Sequence, residues 1–354
     1  MNAATLITDK TIQYLTIPAV VGHESVFIAA LARDFEKLGL RAEAHEGLLA
    51  VHGTKPHSAI ICAHIDRHGL ISIGGGNYVY AARHIREIKY GEICLQSQSE
   101  LNSIVSRFVG EAVYAYDTQS GLRLGDGTIE PADCEILEGE NIFHIKGMEA
   151  MPPETPVAYA RKARLEDGML KGQIDNALSL GLVYALFEAG FQGTALLSCE
   201  EEIGKSWVPL SAYLDAAKQE SQSLIVLDTS PYADLIPIQT GRVILRGRDM
   251  SAVFNPALVA ALKTRCGALN IPFSLKDEDL LAAGKTVDQL GSTELGKLMK
   301  FKACRWSGAT VQVPTMMYHT SNESASLASI SNAFTVLKDI LIEHPLSIMD
   351  SEAA

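Results

Sequence analysis

Three consecutive carboxylates, Glu200, Glu201 and Glu202, follow directly on the apolar run Leu196-Leu197-Ser198-Cys199. That run reads as a buried strand, and carboxylates at its end are costly to bury unless something positive accompanies them. Gly204 and Lys205 then lead into Trp207-Val208-Pro209, which reads as an irregular segment. The acids are therefore expected at the mouth of a sheet. Open α/β sheets place their chemistry just beyond the carboxyl ends of strands, where a Glu pair can serve metal ligation and proton transfer. Taken alone, the run could equally be a solvated acidic turn.

Other strand ends finish the same way. Ser58 to Ala63 runs into His64-Ile65-Asp66, Ser223 to Leu227 ends on Asp228, and Val311 to Thr315 leads to Tyr318-His319. Asp175 stands before a strongly apolar helix pattern over 176–189. Together these give His64, Asp66, Asp175, Glu201, Glu202, Asp228 and His319, all oxygen or imidazole groups with no thiolate. Such a set suits a hydrolytic pair of zinc, cobalt or manganese ions better than a structural zinc. Two ions roughly 3.5–4 Å apart, sharing a bridging carboxylate, can hold an attacking hydroxide and polarise a carbonyl. Singly, each residue has a plain alternative: His64 a core histidine, Asp175 a helix cap, Asp228 a turn residue.

Positioning these groups requires alternating helices and strands. A short helix pattern starts near Thr5, a second runs from Glu24 to Leu38 and closes at Gly39, and 40–52 reads as a strand pair turning at Glu46-Gly47. Asn255-Pro256 opens a helix running to about Asn270, with Pro at its first position, and 329–342 is the closing helix. Between about 71 and 155 the character changes to Gly74-Gly75-Gly76, short β-like runs, and turns at Gly125-Asp126-Gly127 and Glu138-Gly139, with no long helix pattern. The expected organisation is a discontinuous catalytic α/β domain of residues 1–70 and 156–354. Residues 71–155 form a small, mostly-β insertion, ending in the Pro-rich stretch 151–156.

With 354 residues the chain is long enough for a large core. Thirty basic against 42 acidic residues, net −12, with no basic cluster, argue against a nucleic-acid partner. No apolar run approaches the roughly 18 residues of a spanning helix, so no membrane partner is expected. Residues 1–5 lack the basic and apolar parts of a secretory signal. Cys62, Cys94, Cys134, Cys199, Cys266 and Cys304 are scattered without C-x-x-C spacing, as for reduced thiols in a cytoplasm. A cytoplasmic location is expected.

The ordered motifs Ala63-His64-Ile65-Asp66, Asp175-Asn176, Glu201-Glu202-Ile203-Gly204, Asp228 and Tyr318-His319-Thr320-Ser321-Asn322-Glu323 span nearly the whole chain. In that order, interrupted by an insertion, they resemble the M42 family of metallo-aminopeptidases, which includes glutamyl and tetrahedral aminopeptidases. The resemblance implies a phosphorylase/hydrolase-like mixed sheet flanked by helices, with an inserted domain used to assemble large homo-oligomers. It also implies two divalent metals, zinc foremost with cobalt or manganese next. Asp175 would bridge them, His64 and Asp228 would complete one ion, and Glu202 and His319 the other. Glu201 would be the general base and Asp66 would orient the His64 imidazole or the base. Aligning on Glu-Glu-x-Gly leaves Glu200 spare.

The chain departs from the family where Arg67-His68, Asn176-Ala177 and Ser292-Thr293-Glu294 stand. Arg67 is expected to bring a cation close to the metals, and His68 to be a bystander, with an additional ligand as the alternative. The function implied is removal of N-terminal residues from short peptides. A metal-dependent deacylase or carboxypeptidase is the alternative that Arg67 favours, since a guanidinium suits a substrate carboxylate. A non-catalytic scaffold fits poorly, because unused buried carboxylates repel one another.

Overall fold

The computed structural model describes residues 2–93, 96–137, 139–218, 221 and 223–345; Cys94 and Glu138, singled out above, lie outside them. The principal sheet has eight strands in the order Arg41–His45, Leu48–His52, Thr194–Ser198, Ile60–His64, Leu224–Pro231, Gly308–Thr315, Val243–Arg246, Phe273–Leu275. Its four central strands are mutually parallel, and antiparallel partners flank them on both sides. Central strands of this kind are covered on both faces, which explains why they read as unbroken apolar runs. Every residue of Ile60–His64 and Thr194–Ser198 is buried.

Two groups of helices flank the sheet. Ala3–Tyr14, Ala177–Glu188 and Leu327–Lys338 pack on one another, and Trp207–Ala216 packs on Glu294–Phe301. The helix at 177–188 is apolar all round because each residue from Ala177 to Phe187 is buried. At its middle, a Cβ on Gly181 would lie 2.6 Å from Thr11 Oγ1 and 2.9 Å from the Ile7 carbonyl. Only glycine permits the first helix to approach so closely.

A second sheet of seven strands is built between Leu70 and Tyr159, in the order Arg123–Thr128, Ala112–Tyr116, Pro156–Tyr159, Leu70–Gly74, Asn77–Tyr80, Glu140–His144, Cys134–Leu137. It carries its own apolar core, centred on Tyr78, Phe108, Tyr116 and Phe143. This region also holds two helices, Ala81–Tyr90 and Gln98–Phe108. Neither was singled out in the sequence, where no long helix pattern stands. Both are short and bury only one stripe each, Ala81, Ala82 and Ile85 in the first and Leu101, Ile104 and Phe108 in the second. The start of the second was nevertheless written in the chain, as the reciprocal cap between Ser97 and Glu100.

Trp207-Val208-Pro209 likewise opens a helix rather than an irregular segment. Pro209 sits in the first turn, where the missing N–H has no intrahelical partner to lose. The Gly39 stop, with φ +78°, and the Asn255 cap, whose side chain accepts from Ala257 and Leu258, fall where the sequence places them.

Candidate metal centre

The register of the parallel strands sets the site. Ser198 pairs with His64, and Ile225 and Val226 pair with Ile61 and Cys62. Continuing that register puts Asp228 level with His64. Asp228 does not end its strand, which runs on to Pro231; the neighbour Ile60–His64 ends level with it, so both side chains stand where that neighbour stops. Asp175 enters from the segment before Ala177–Glu188, across a cis bond to Asn176, and Asn176 occupies the cap position. Asp175 is therefore no helix cap. Its N–H is taken by Glu323, buried beneath it, at 3.1 Å.

Four side chains from these distant segments converge around Asp175. His64 Nε2 is 3.2 Å from Asp175 Oδ1 and 3.5 Å from Asp228 Oδ1. His319 Nε2 is 3.3 Å from Asp175 Oδ2 and 3.5 Å from Glu202 Oε2. One carboxylate thus turns one oxygen to each group. His64, Asp175 and Asp228 form one cluster of possible ligands, and His68, Glu202 and His319 form another, each with its donor atoms within 4.8 Å of one another. Neither oxygen of Asp175 has a hydrogen-bond partner although the residue is buried, and both nitrogens of His319 are likewise unpartnered. Buried polar atoms without partners are expensive. Two divalent cations would satisfy them, so the donor set fits the pair implied by the motifs.

The electrostatics agree. Burial pushes the Glu202 carboxyl up to about 8, and it likewise raises Glu201 and Asp228 above their ordinary range. Burial also opposes ionisation of Asp175, but His319 and His64 outweigh it and hold that carboxyl well down. Burial disfavours protonated His64, yet Asp175, Asp228 and Asp66 keep its affinity for a proton well above normal. So many carboxylates cannot all ionise together in a dry site without added positive charge.

Asp66 does not line the cavity over this centre. Its backbone carbonyl takes His64 Nδ1 at 3.1 Å, while its fully buried carboxylate accepts the backbone N–H groups of Glu201 and Glu202, each at 3.0 Å. The first contact turns His64 Nε2 toward the cluster. The second fixes the turn that aims both glutamates. Glu200 adopts φ +70° and points elsewhere, to Lys89 and the Tyr90 hydroxyl.

Above the centre lies a cavity of about 490 Å³, lined among others by Glu201, Glu202, Asp228, His319, Arg246 and Lys297. That is a size suited to a small ligand. Two expectations fail here. Arg67 is turned away: its guanidinium donates to the Ile17 carbonyl and lies 5.4 Å from the Phe27 ring centroid. The parallel bridge between Val20 and Arg67 fixes the backbone that aims it. His68, expected to be a bystander, stands inside the second cluster instead. The cavity's cations are Arg86, Arg107, Arg246 and Lys297, none of which the sequence reading singled out. They lie on separate elements without a shared motif. Glu294 is buried, accepts from Ser198 and is held up by burial, next to the centre rather than in the cavity wall.

No family model matches the chain, and no curated protein matches it. Solved structures do. The aminopeptidase APDkam598 from the archaeon Desulfurococcus kamchatkensis superposes with a TM-score of 0.72 at 14% identity, over 99% of this chain and 98% of that one. The TET aminopeptidase of a marine-sediment Thaumarchaeota archaeon gives 0.70 at 16% identity, over 97% of each chain. The TET1 peptidase of Pyrococcus horikoshii, described as assembling into a tetrahedron or a large octahedral shell, gives 0.69 at 15% identity, over 95% of this chain and 99% of that one. At such identities the likeness establishes the fold, a mixed α/β sheet flanked by helices, as the M42 resemblance implies.

Proposed function

We propose that the chain is a two-metal exopeptidase that releases N-terminal residues from short peptides. The observation that carries this is Asp175, buried, free of hydrogen bonds at both oxygens, and facing one candidate cluster with each. His64 and Asp228 would hold one ion, Glu202 and His319 the other, with Asp175 between them. Two divalent ions there, zinc by preference for this mix of imidazole and carboxylate, with cobalt or manganese next, supply Lewis acidity to the scissile carbonyl and lower the pKa of water.

The chain's own groups do the rest. Glu201 lines the cavity, and burial raises its carboxyl, so it is suited to take a proton from the attacking water and deliver it to the departing amine. Asp66 positions that base through the backbone. Glu201, Glu202 and Asp228 all line the cavity, so a substrate's free α-amino group would meet a carboxylate-rich surface beside the ions. Arg246 and Lys297 line the same cavity and give it positive charge that suits a carboxylate, such as the C-terminus of a short peptide. The same cations favour a second reading, a deacylase or carboxypeptidase acting on an N-acylated substrate. Dipeptides with free and with acylated amines separate the two.

We further infer that segment 71–155 serves self-assembly and substrate access. Both edges of the second sheet carry exposed apolar side chains, Leu122 and Leu124 at one and Ile136 and Leu137 at the other, as edges that pair with further copies would. The tetrahedral and octahedral assemblies described for the TET1 peptidase support this. The described helices include none long and apolar enough to cross a membrane. A cytoplasmic enzyme remains our reading.

The decisive experiment is Glu201→Gln. The variant is expected to keep two ions per chain by metal analysis while turnover of free-amine dipeptides falls by roughly 10²–10⁴-fold, the contribution of a general base. Undiminished turnover would remove Glu201 from the mechanism.

A further inference from the structure

His68 is held as tightly as any residue of the centre. Its neighbour Arg67 donates its N–H to the Ala19 carbonyl and accepts from Val21, and the His68 carbonyl accepts from Gln173 at 2.8 Å. On the other side Gly69 admits no side chain, since a Cβ there would lie 2.5 Å from both the Val157 carbonyl and Val20 Cγ2. The ring is fixed as well. Nδ1 is 2.6 Å from the Tyr80 hydroxyl, which in turn accepts from Arg107 at 3.0 Å. This is the arrangement that orients a ligating imidazole, one nitrogen anchored and the other presented.

The presented nitrogen has a specific address. His68 Nε2 is 2.7 Å from Glu202 Oε2, yet it makes no hydrogen bond, although the residue is only 3% exposed. The His68 and His319 rings meet edge to face with centroids 4.0 Å apart, and His319 Nε2 is also unpartnered. The ligating atoms of His68, Glu202 and His319 lie within 4.8 Å of one another, close enough to share one ion.

Resting on the two-metal reading, we propose that His68 is a protein ligand of the second ion. It joins Asp175, Glu202 and His319 there, whereas the first ion has only His64, Asp175 and Asp228. Four protein donors close a tetrahedral zinc site, while three leave a position open. The two ions are therefore unequal: the second is bound more tightly, and the first keeps the position at which substrate can enter.

The test strips the full-length protein with chelator and titrates it with Zn²⁺ against a chromophoric competitor, and in parallel with Co²⁺ followed by visible absorption. The wild type is expected to fill in two resolved steps. His68→Ala is expected to weaken the tighter step by at least about tenfold, the loss that even a residue supporting a ligand produces, and to change the Co²⁺ spectrum of that step alone. Unchanged affinities and spectrum in the variant overturn the inference. X-ray absorption on the wild-type dizinc protein gives a second measurement that does not depend on the variant folding. Three imidazoles shared between two zinc ions support the assignment; two overturn it. A wild type that takes up fewer than two ions overturns the two-metal reading itself, and this inference with it.

Discussion

Asp175 is the residue on which the centre turns. A carboxylate that serves two ions cannot be replaced without loss to both, so Asp175→Asn is expected to lower occupancy of both ions in parallel when measured by metal analysis after dialysis. Selective loss of one would contradict bridging. At this scale the sequence was most informative where a group must stand at a strand end. His64 and Asp228 were picked out because apolar runs end on them, and Glu202 and His319 because they stand just beyond such runs; the structure brings all four together around Asp175. His68 and Arg67 were read the wrong way round. Which of two adjacent side chains faces a site depends on the backbone path, and that path is fixed by the contact of 19–21 with Arg67, remote in sequence. The lone signal was glycine at 69, whose need for close backbone approach pins the preceding residue.

Among the elements, the entry to the helix Ser25–Lys37 carries a titratable weak point. Glu24 is buried at its cap position and accepts the Gly22 N–H at 2.7 Å. Burial first, then the negative charge of Asp66, raises its carboxyl from an ordinary 4.5 to about 8. A group raised in the folded state favours folding fully below its unfolded value and loses that contribution as pH climbs through the folded one. Stability is thus expected to fall between about pH 4.5 and pH 8 on account of Glu24. Glu24→Gln should flatten that decline, gaining on the order of 2 kcal/mol over wild type near the upper end, by thermal or urea melts across pH. Identical pH profiles would place the charge elsewhere. Elements were legible where period and caps agreed, as for the helix at 256–268 behind Asn255-Pro256. They were missed where a helix was short and buried one stripe, as at 81–90, or where Pro209 masked a first turn.

For the whole molecule, the division of labour is between a principal sheet that gathers the chemistry and a second sheet with apolar edges. The alternation of helix and strand made the first readable, since local pattern and layer packing coincide there. The second mixes short strands with short helices, and its fold follows from pairings such as that of Val157 with Ala115, which no local pattern encodes. Light scattering of the wild type is expected to show a homo-oligomer of several chains. Lys in place of Leu124 and Leu137, one at each edge, is expected to reduce it to smaller species. A monomeric wild type would end the assembly proposal.

The aspartate behind the glutamate turn has one more implication. Because a single carboxylate grips two successive backbone amides, Glu201 and Glu202 are geared together, as the proposed proton carrier and its proposed metal-binding neighbour would need to be. The turn is locked from its other side as well, since the Glu200 carbonyl accepts the N–H groups of Lys205 and Ser206, so a change of length there would disturb the glutamates themselves.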